Sequence, residues 1–393
     1  GAGRVGGDGV MAKLGEVCTI VSGSTPKTSV TSYWDGNIKW ITPAELNEDT
    51  FYIMDSVRHI TEEGKEKTGL SYLPTGTVIL SSRAPIGKTA IAGCEMCCNQ
   101  GFKNLICSDA IYNEYLYFFL KSKTDHLNSL GRGATFKEIS KSIVESIEIP
   151  LPEVNQQKKI AEKFKKLEQL ISLRKQQLVK LDELTKARFV EMFGTYPKNE
   201  KGFPVTVISD VADVSVGVVI KPAQYYVEKE VGVKAFRSLN IGPMYIKDND
   251  WVYFSSDGNA KNRKSQLHEN DLLIVRSGAP GVSCVVTKEY EGCNAIDVII
   301  AHPNLSKVNP WYLCAYTNYP HGKKQIDEGT GGAAQQHFNV GKYSKVKIMI
   351  PPLSLQNDFA AFVERVDQQK QTVQQSLEKL ELMKKALMQE YFG

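Results

Sequence analysis

The residues best suited to chemistry in this sequence are hydrogen-bonding and basic side chains on turns that follow strand-like segments. Arginine, lysine, asparagine and glutamine can present paired donors or acceptors to base edges in nucleic acid, whereas phosphates need only positive charge or amide groups. Both halves of the sequence contain such residues. They are Lys27, Arg83, Lys88, Gln100, Arg132 and Thr135 in the first half, and Lys221, Arg237, Asn240, Lys261, Asn262, Arg263, Lys264, Arg276, Gln335 and Gln336 in the second.

Two arginines of this set occupy nearly equivalent places in the two halves. Arg83 and Arg276 each follow an apolar strand-like run and precede a turn rich in glycine and proline. We expect both to contact base edges, and we expect the basic turn at residues 261–264 to contact phosphates. Tyr33 and Trp34 are expected in a core rather than stacked on bases.

Catalytic motifs are the second kind of chemistry to consider. Residues 82–89 resemble a phosphate-binding loop, but Ser82 replaces the first required glycine, and strand-like residues 90–92 follow in place of a helix. The sequence has no Asp/Asn-Pro-Pro-aromatic motif for amino methylation and no G-x-G cofactor loop of the methyltransferase kind. Its six histidines are scattered. We therefore predict no catalytic residues and no cofactor bound by this chain.

The cysteines raise the question of a metal site. Cys94 and Cys97 form a C-x-x-C element that could ligate zinc, but no second closely spaced pair and no paired histidines follow. Reduced thiols, which are usual in the cytosol, are the favoured interpretation of the eight cysteines, with zinc as the open alternative. The prediction is that the chain holds no metal.

Length and composition limit the class of protein. At 393 residues the chain exceeds an ordinary single core, so two or three domains are expected. Apolar residues at 42% and charged residues at 23% are typical of globular proteins. A net charge of +4 is only mildly basic, so any nucleic-acid surface must be local. No apolar run is long enough for a membrane span, which predicts a cytoplasmic protein without a membrane partner.

An internal repeat organises the chain, at an offset of about 194 to 201 residues. The matching segments are 17–23 with 211–217, 78–83 with 272–276, and 133–135 with 332–334. Residues 14–152 and 203–352 contain short runs of Val, Ile, Tyr and Phe separated by Gly, Pro, Asn and Asp. These runs predict strands mixed with some helix. The clearest short helices are expected at residues 113–123 and 309–319.

Each repeat ends in a segment with apolar residues at alternating spacings of four and three. This heptad pattern predicts two helices of about 40 residues, or about 60 Å at about 1.5 Å per residue, that pair as a coiled coil. Arg174, Lys370 and Lys384 are polar positions in the seam. The less favoured alternative is that each helix caps its own domain. The predicted pairing residues are Ile160, Phe164, Leu167, Ile171, Leu178, Leu181, Val363, Val366, Val373, Leu377, Leu380 and Leu387.

These features divide the chain into six segments. Two tandem copies favour an antiparallel helix pair within one chain. The length of the helices would then set the distance between the two domains. Inserting residues near Thr185 should therefore change the gap between the sites that the two domains contact. Residues 1–13 are expected to be a Gly-rich tail or a remnant ahead of a natural start at Met11. The other expected bounds are 14–152 for the first domain, 153–194 for the first long helix, 195–202 for a linker, 203–352 for the second domain and 353–393 for the second long helix.

The order of these features, found twice in one chain, resembles the specificity subunit of type I restriction-modification systems. The likeness covers residues 14–393 and rests on residues 14–23, on the Tyr33–Trp40 region, on the 150–157 junction and on the second-half copies. It implies an α+β fold with two mixed α/β target recognition domains, related by internal duplication and separated by two long helices in an antiparallel coiled coil.

The resemblance also implies a function. Each domain would read one half of a split, asymmetric site in double-stranded DNA, and the helices would dock two adenine-methyltransferase subunits. ATP-dependent restriction subunits join such complexes. S-adenosylmethionine and ATP would therefore bind to partner subunits. Two alternatives remain open at this stage, namely the recognition module of a nuclease and a non-catalytic coiled-coil scaffold.

Overall fold

The computed structural model describes residues 10–83, 85–131, 137–330 and 338–393. The chain forms two compact units. The first contains residues 1–175 and 375–393, and the second contains residues 176–374. Each unit therefore combines one domain with parts of both long helices.

The first unit is built on two sheets of short strands. The larger sheet has five strands, in the spatial order Cys18–Ser22, Phe102–Cys107, Val78–Ser81, Thr89–Ala92 and Tyr52–Ile53. Val78–Ser81 lies in the middle of this sheet and is completely buried, as its apolar sequence predicts. The smaller sheet has the order Arg58–Ile60, Trp34–Ile41 and Cys97–Cys98.

Helices cover the larger sheet of the first unit. Asn113–Ser122 buries a continuous aromatic and aliphatic stretch that includes Phe118 and Phe119. This helix matches the one expected at residues 113–123. The remaining α-helices are Leu14–Val17, Glu62–Thr68, Thr124–Leu130 and Lys141–Glu145.

The second unit repeats this plan. Its first sheet has the order Ala212–Val216, Ile299–Pro303, Leu272–Ile274 and Ser283–Val285, which reproduces four strands of the larger sheet above. Its second sheet has the order Tyr226–Val227, Val252–Phe254, Val233–Phe236 and Asn294–Ala295. A hairpin joins Ile241–Gly242 and Tyr245–Ile246. The α-helices of this domain are Ser256–Lys261, Pro310–Asn318, Pro320–Thr330 and Val340–Ser344.

The two long helices are Val154–Phe193 and Leu353–Phe392, each of 40 residues. Within the first unit, Lys163 contacts Tyr391 and Glu168 contacts Lys384. As the residue number rises along the first helix, the number of its partner on the second helix falls. The same order holds within the second unit, where Asp182 contacts Lys370. In each unit the helix segments therefore run antiparallel.

A buried glutamine fixes the start of each long helix to its domain. Gln157 accepts a hydrogen bond from the backbone N–H of Tyr112 at 2.8 Å and donates to the carbonyls of Ala110 and Pro152 at 3.0 and 2.8 Å. The side chain is completely buried, so these bonds satisfy polar groups that water cannot reach. They hold the helix and the domain in one orientation.

Gln356 makes the same contacts in the second unit. It accepts from the N–H of Asn309 at 2.8 Å and donates to Pro351 at 2.8 Å and Lys307 at 3.4 Å. Both glutamines lie in the first turn of their helix, and both are completely buried.

One predicted boundary needs correction. Met11–Lys13, assigned to a tail, forms an antiparallel strand with Glu148–Pro150 and belongs to the first domain. The equivalent pair in the second unit is Val205–Val207 with Lys347–Met349. The fold class is confirmed: an α+β chain with two duplicated mixed domains and paired long helices.

Candidate nucleic-acid interface

Arg83 lies directly after the central strand of the first unit, where the sequence placed it. Its Nε donates to Oε2 of Glu138 at 3.0 Å, and Lys103, almost fully buried, donates to Oε1 of the same carboxylate at 3.2 Å. Burial alone raises the pKa of Glu138, but the hydrogen bonds from Arg83 and Lys103 outweigh it and leave this pKa below its ordinary value. The Arg83 side chain remains 46% exposed and is therefore oriented yet accessible.

Arg276 follows the central strand of the second unit and is more firmly held. Its guanidinium forms an ion pair with Asp297, and its Nε donates to the carbonyl of Phe338 at 3.3 Å. Only 17% of its side chain is exposed. Each arginine follows the central strand of its unit and has an acidic partner, but the two are offset by one residue. The N–H of Ile139 donates to the carbonyl of Ser82, whereas the N–H of Phe338 donates to that of Arg276, so Ser82 is the counterpart of Arg276.

Two of the predicted contact residues form hydrogen bonds within their own domain. The amine of Lys88 donates to the carbonyls of Pro43 and Leu46 at 3.1 and 2.7 Å. Asn240 is fully buried, accepts from the N–H of Arg237 at 2.9 Å and donates to the carbonyl of Asn249 at 2.7 Å. Asn240 is buried beyond the reach of DNA, so we correct the prediction that it contacts DNA. Lys88 is half-buried, and because a contact with DNA would compete with its two carbonyl partners, its assignment stays a prediction.

Three further candidates are hydrogen-bonded within their own loops. Gln100 is exposed and accepts from the Thr25 hydroxyl. The Arg237 guanidinium donates to the carbonyl of Asp250, and Asn262 donates to the carbonyl of Gly258 at 2.8 Å. A contact with DNA would compete with each of these bonds.

The basic turn at residues 261–264 remains accessible. It begins at the end of Ser256–Lys261, where Lys261 pairs with Asp257 at 2.7 Å and is 64% exposed. Arg263 and Lys264 have exposed side chains. A buried network below the turn, in which Ser265 donates to Asn294 at 2.7 Å, fixes its backbone. Clustered positive charge on a fixed turn suits phosphate binding.

The other candidates divide into exposed residues and residues that the structure does not describe. Lys27 and Lys221 are exposed, and Lys221 adopts a left-handed backbone conformation with φ of 44°. Four predicted residues lie outside the described residues: Arg132, Thr135, Gln335 and Gln336.

Arg58 was missed by sequence reasoning. Its guanidinium stacks on the ring of Trp34 at 3.5 Å from the centroid, and the residue is exposed. Trp34 itself is 7% exposed, as expected for a core residue. An arginine held on a tryptophan face is preorganised for a planar or anionic ligand. In the sequence, Arg58 is distinguished only as a basic residue in a strand-like segment, and many surface residues share this feature.

The predicted helix-pairing residues lie in three environments. Leu181, Val366 and Val373 form an apolar cluster between the long helices, with Leu178 packed against it. Ile160 and Phe164 lie in the core of the first domain, where Leu387 packs partly buried, and Val363 lies in the core of the second. Leu167, Ile171 and Leu377 are buried, and Leu380 is half-buried. The heptad positions near the domains therefore serve both a helix seam and a domain core.

The seam's polar residues have partners on the opposite helix. Arg174 donates to the Ser376 hydroxyl at 3.2 Å, and Lys384 donates to Glu168 at 2.8 Å. Lys370 donates to Asp182 at 2.6 Å. These contacts satisfy the charges that interrupt the apolar pattern.

The described residues form no cluster of metal ligands and no membrane-spanning helix. Among residues 10–83, 85–131, 137–330 and 338–393, the structure groups no three His, Cys, Asp or Glu side chains as a metal site. Within the same ranges, every helix is too short or too polar for a transmembrane span.

Comparison with known proteins identifies the family. The family model described as the type I restriction modification DNA specificity domain matches residues 8–184 and 200–382. The type I restriction enzyme MjaIX specificity subunit of Methanocaldococcus jannaschii is 29% identical over 385 residues, which cover 92% of this chain and 87% of that protein. The EcoR124I/EcoR124II specificity subunit of Escherichia coli is 25% identical over 197 residues, or 48% of each chain.

Solved structures share the fold. The type I S subunit from M. genitalium superposes with a TM-score of 0.58 at 14% identity and covers 98% of this chain and 96% of its own. A second solved structure, described as the structural basis underlying complex assembly and conformational transition of the type I R-M system, gives a TM-score of 0.64 at 17% identity. The match covers 98% of both chains. With the family model matched once in each half, the chain belongs to the family of type I restriction-modification specificity subunits.

Proposed function

We propose that this chain is the sequence-specific DNA recognition subunit of a type I restriction-modification complex and that each domain reads one half of a bipartite, asymmetric target. The observation that carries this proposal is a duplicated scaffold with unlike surfaces. Both domains place an arginine after the central strand, but Glu138 holds one and Asp297 holds the other. Different neighbours present the two guanidinium groups differently, so the half-sites should differ in sequence.

The proposal assigns three roles to surface residues. Arg83 and Arg276 read base edges, the turn with Lys261, Arg263 and Lys264 contacts phosphates, and Arg58 adds a contact from the first domain. Bidentate arginine is the commonest specific reader of guanine in the major groove. Phosphate contacts position a domain but carry no sequence information directly.

The long helices are proposed to dock two adenine-methyltransferase subunits. They expose apolar side chains that a partner could cover, among them Leu170 at 45% and Leu382 at 69% exposure. S-adenosylmethionine would bind to those partners, and ATP to restriction subunits where these are present. The chain itself is proposed to be non-catalytic and to act in the cytoplasm, where its DNA is found.

The test is to map methylated adenines in cells that carry this chain together with its methyltransferase partner. We expect one split motif that vanishes when the chain is deleted and returns when it is restored. A matched strain that carries the Arg276→Ala variant should lose sequence preference at one position. Methylation that is unchanged by deletion would contradict the proposal, and DNA cleavage by the purified chain alone would favour the nuclease alternative.

A further inference from the structure

Two cysteines face each other across neighbouring strands of the first domain. Cys18 begins the strand Cys18–Ser22, Cys107 ends the strand Phe102–Cys107, and the antiparallel register pairs them directly. Directly opposed residues in a sheet project to the same face, so the two thiols lie on one side. Both are free thiols.

The backbone hydrogen bonds show which kind of pair this is. The N–H of Ser108 donates to the carbonyl of Val17 at 3.0 Å, which places the bond outside the pair and makes Cys18 and Cys107 a non-hydrogen-bonded pair. Such pairs have Cα atoms about 4.5 Å apart. Disulfides require Cα separations of about 4.4 to 6.8 Å, so this register can hold one without moving the backbone.

The thiols already interact. The Cys18 thiol donates a hydrogen bond to the Cys107 sulfur, and this bond, together with burial, raises the pKa of Cys18 well above its ordinary value. Cys18 is 7% exposed, whereas Cys107 is half-buried at the end of its strand. A solvent oxidant can therefore reach Cys107 first, and Cys18 is positioned to attack the product.

The second domain has no counterpart to this pair. Its equivalent register position joins Ala212 to Pro303, on strands that occupy the same places in the sheet. The scaffold is thus repeated while the dithiol is not.

We propose that Cys18 and Cys107 form a reversible cross-strand disulfide when the thiol pool becomes oxidised. With oxidised glutathione, the Cys107 thiolate attacks one sulfur and releases one glutathione thiolate, which leaves a mixed disulfide. Cys18, whose raised pKa makes its deprotonation the slow step, then loses its proton and attacks the Cys107 sulfur, and the second glutathione leaves as a thiolate that takes up a proton. Two cysteine thiols are oxidised and one glutathione disulfide is reduced to two thiols.

The position of the cross-link suggests its effect. Cys107 leads into residues 108–112, and Gln157 at the start of the first long helix binds the carbonyl of Ala110 and the N–H of Tyr112. A disulfide would tie this joint to a second strand. The inference is that oxidation stiffens the joint between domain and helix in the first unit only.

The experiment equilibrates the folded full-length chain with mixtures of reduced and oxidised glutathione, alkylates the remaining thiols and maps disulfide-linked peptides by mass spectrometry. We expect a link between Cys18 and Cys107 that dithiothreitol reverses, with slower amide exchange at residues 108–112 in the oxidised form. The Cys94→Ser variant is the matched control, because Cys94 is half-buried and its sulfur contacts the Lys39 amine at 3.3 Å and the Met54 carbonyl at 3.2 Å. It should keep the link, whereas Cys107→Ala and Cys18→Ala should lose it.

Three results would overturn the inference. The first is that both cysteines are alkylated at glutathione ratios that oxidise exposed thiols. The second is that the link joins other cysteines, and the third is that it appears only in urea. Circular dichroism of the alanine variants shows whether they fold, and the peptide map of the unmodified chain decides the question without them.

Discussion

The two units are most alike where the long helices meet the domains and least alike on their surfaces. Tyr115 donates to the carbonyl of Pro150 at 2.8 Å, and Tyr312 donates to Met349 at the same distance. Phe392 lies 5.3 Å from the Tyr115 ring, and Phe193 lies 4.7 Å from that of Tyr312. The repeated contacts show that the ends of the long helices pack against the domains in the same way in both units.

The surfaces differ even where the backbone is shared. Only the second unit carries the Lys261–Lys264 turn on its helix Ser256–Lys261, and Arg58 on Trp34 belongs to the first. Within the otherwise shared joints one contact differs, because Lys123 donates to the carbonyl of Phe392 in the first unit and His321 donates to that of Gly194 in the second. Duplication thus preserved the joints and left the rest free to diverge.

The largest effect should come from removing the aromatic end of a long helix. Phe193→Ala and Phe392→Ala each empty a buried site and should lower the free energy of unfolding by about 3–5 kcal/mol. Chemical denaturation followed by circular dichroism measures the loss. Leu382→Ala, at a residue 69% exposed, is the control and should change little. A loss below about 1 kcal/mol at either phenylalanine would show that the joint is not part of the core.

The second-largest effect is expected from replacing the two buried glutamines. Gln157→Met and Gln356→Met keep the volume but leave backbone groups unpaired, at a cost of about 3 kcal/mol each. Similar losses at both positions, measured in the same denaturation assay, would show that the joints are energetically equivalent. A neutral result at only one of them would break the equivalence of the two units.

Arg276→Ala should weaken specific DNA binding by about 1–3 kcal/mol and relax preference at one base pair. Binding of the complex with its methyltransferase partner to a set of single-base target variants measures both effects. Arg83→Ala is the matched change and should relax a position in the other half-site. If both variants relaxed the same half-site, the assignment of one half-site per domain would be wrong.

The basic turn should affect affinity without changing sequence preference. Arg263→Gln and Lys264→Gln should each lower the slope of log affinity against log salt by about one, because each removes one phosphate contact. A salt titration of DNA binding tests this, with Lys229→Gln, at an exposed lysine of the same domain outside the turn, as the control. An unchanged slope in both variants would place the turn outside the interface.

The smallest expected effect is a pH dependence confined to the second unit. Burial lowers the pKa of His321 from its ordinary 6.5, and its buried Nδ1 has no hydrogen-bond partner among the described residues. Because the unfolded chain binds the proton more readily, stability should be full above about pH 6.5 and fall as the pH drops toward the lowered pKa. His321→Gln keeps a donor for Gly194 and should remove this dependence in denaturation curves between pH 5 and about pH 8. A loss of stability toward low pH that persists in this variant would assign it to another group. That group is not His302, because Asp271 raises the pKa of His302 and the stability it contributes is lost as the pH rises.

Sequence by itself determined the duplication, the long helices and the strands. Heptad spacing reports helix pairing, and apolar runs bounded by glycine and proline report strands, because both signals are local. Arg83 and Arg276 were located in the same way, each by its place after a central strand.

Only the tertiary structure decided which polar residues are exposed. Asn240 and Gln356 have sequences around them that suit a loop and a helix start, yet both are completely buried. Lys88 is held by carbonyls more than 40 positions away, and Arg58 is held by the Trp34 ring from a different strand. Burial and partner choice depend on contacts between distant segments, and a local pattern carries no information about which distant segments meet.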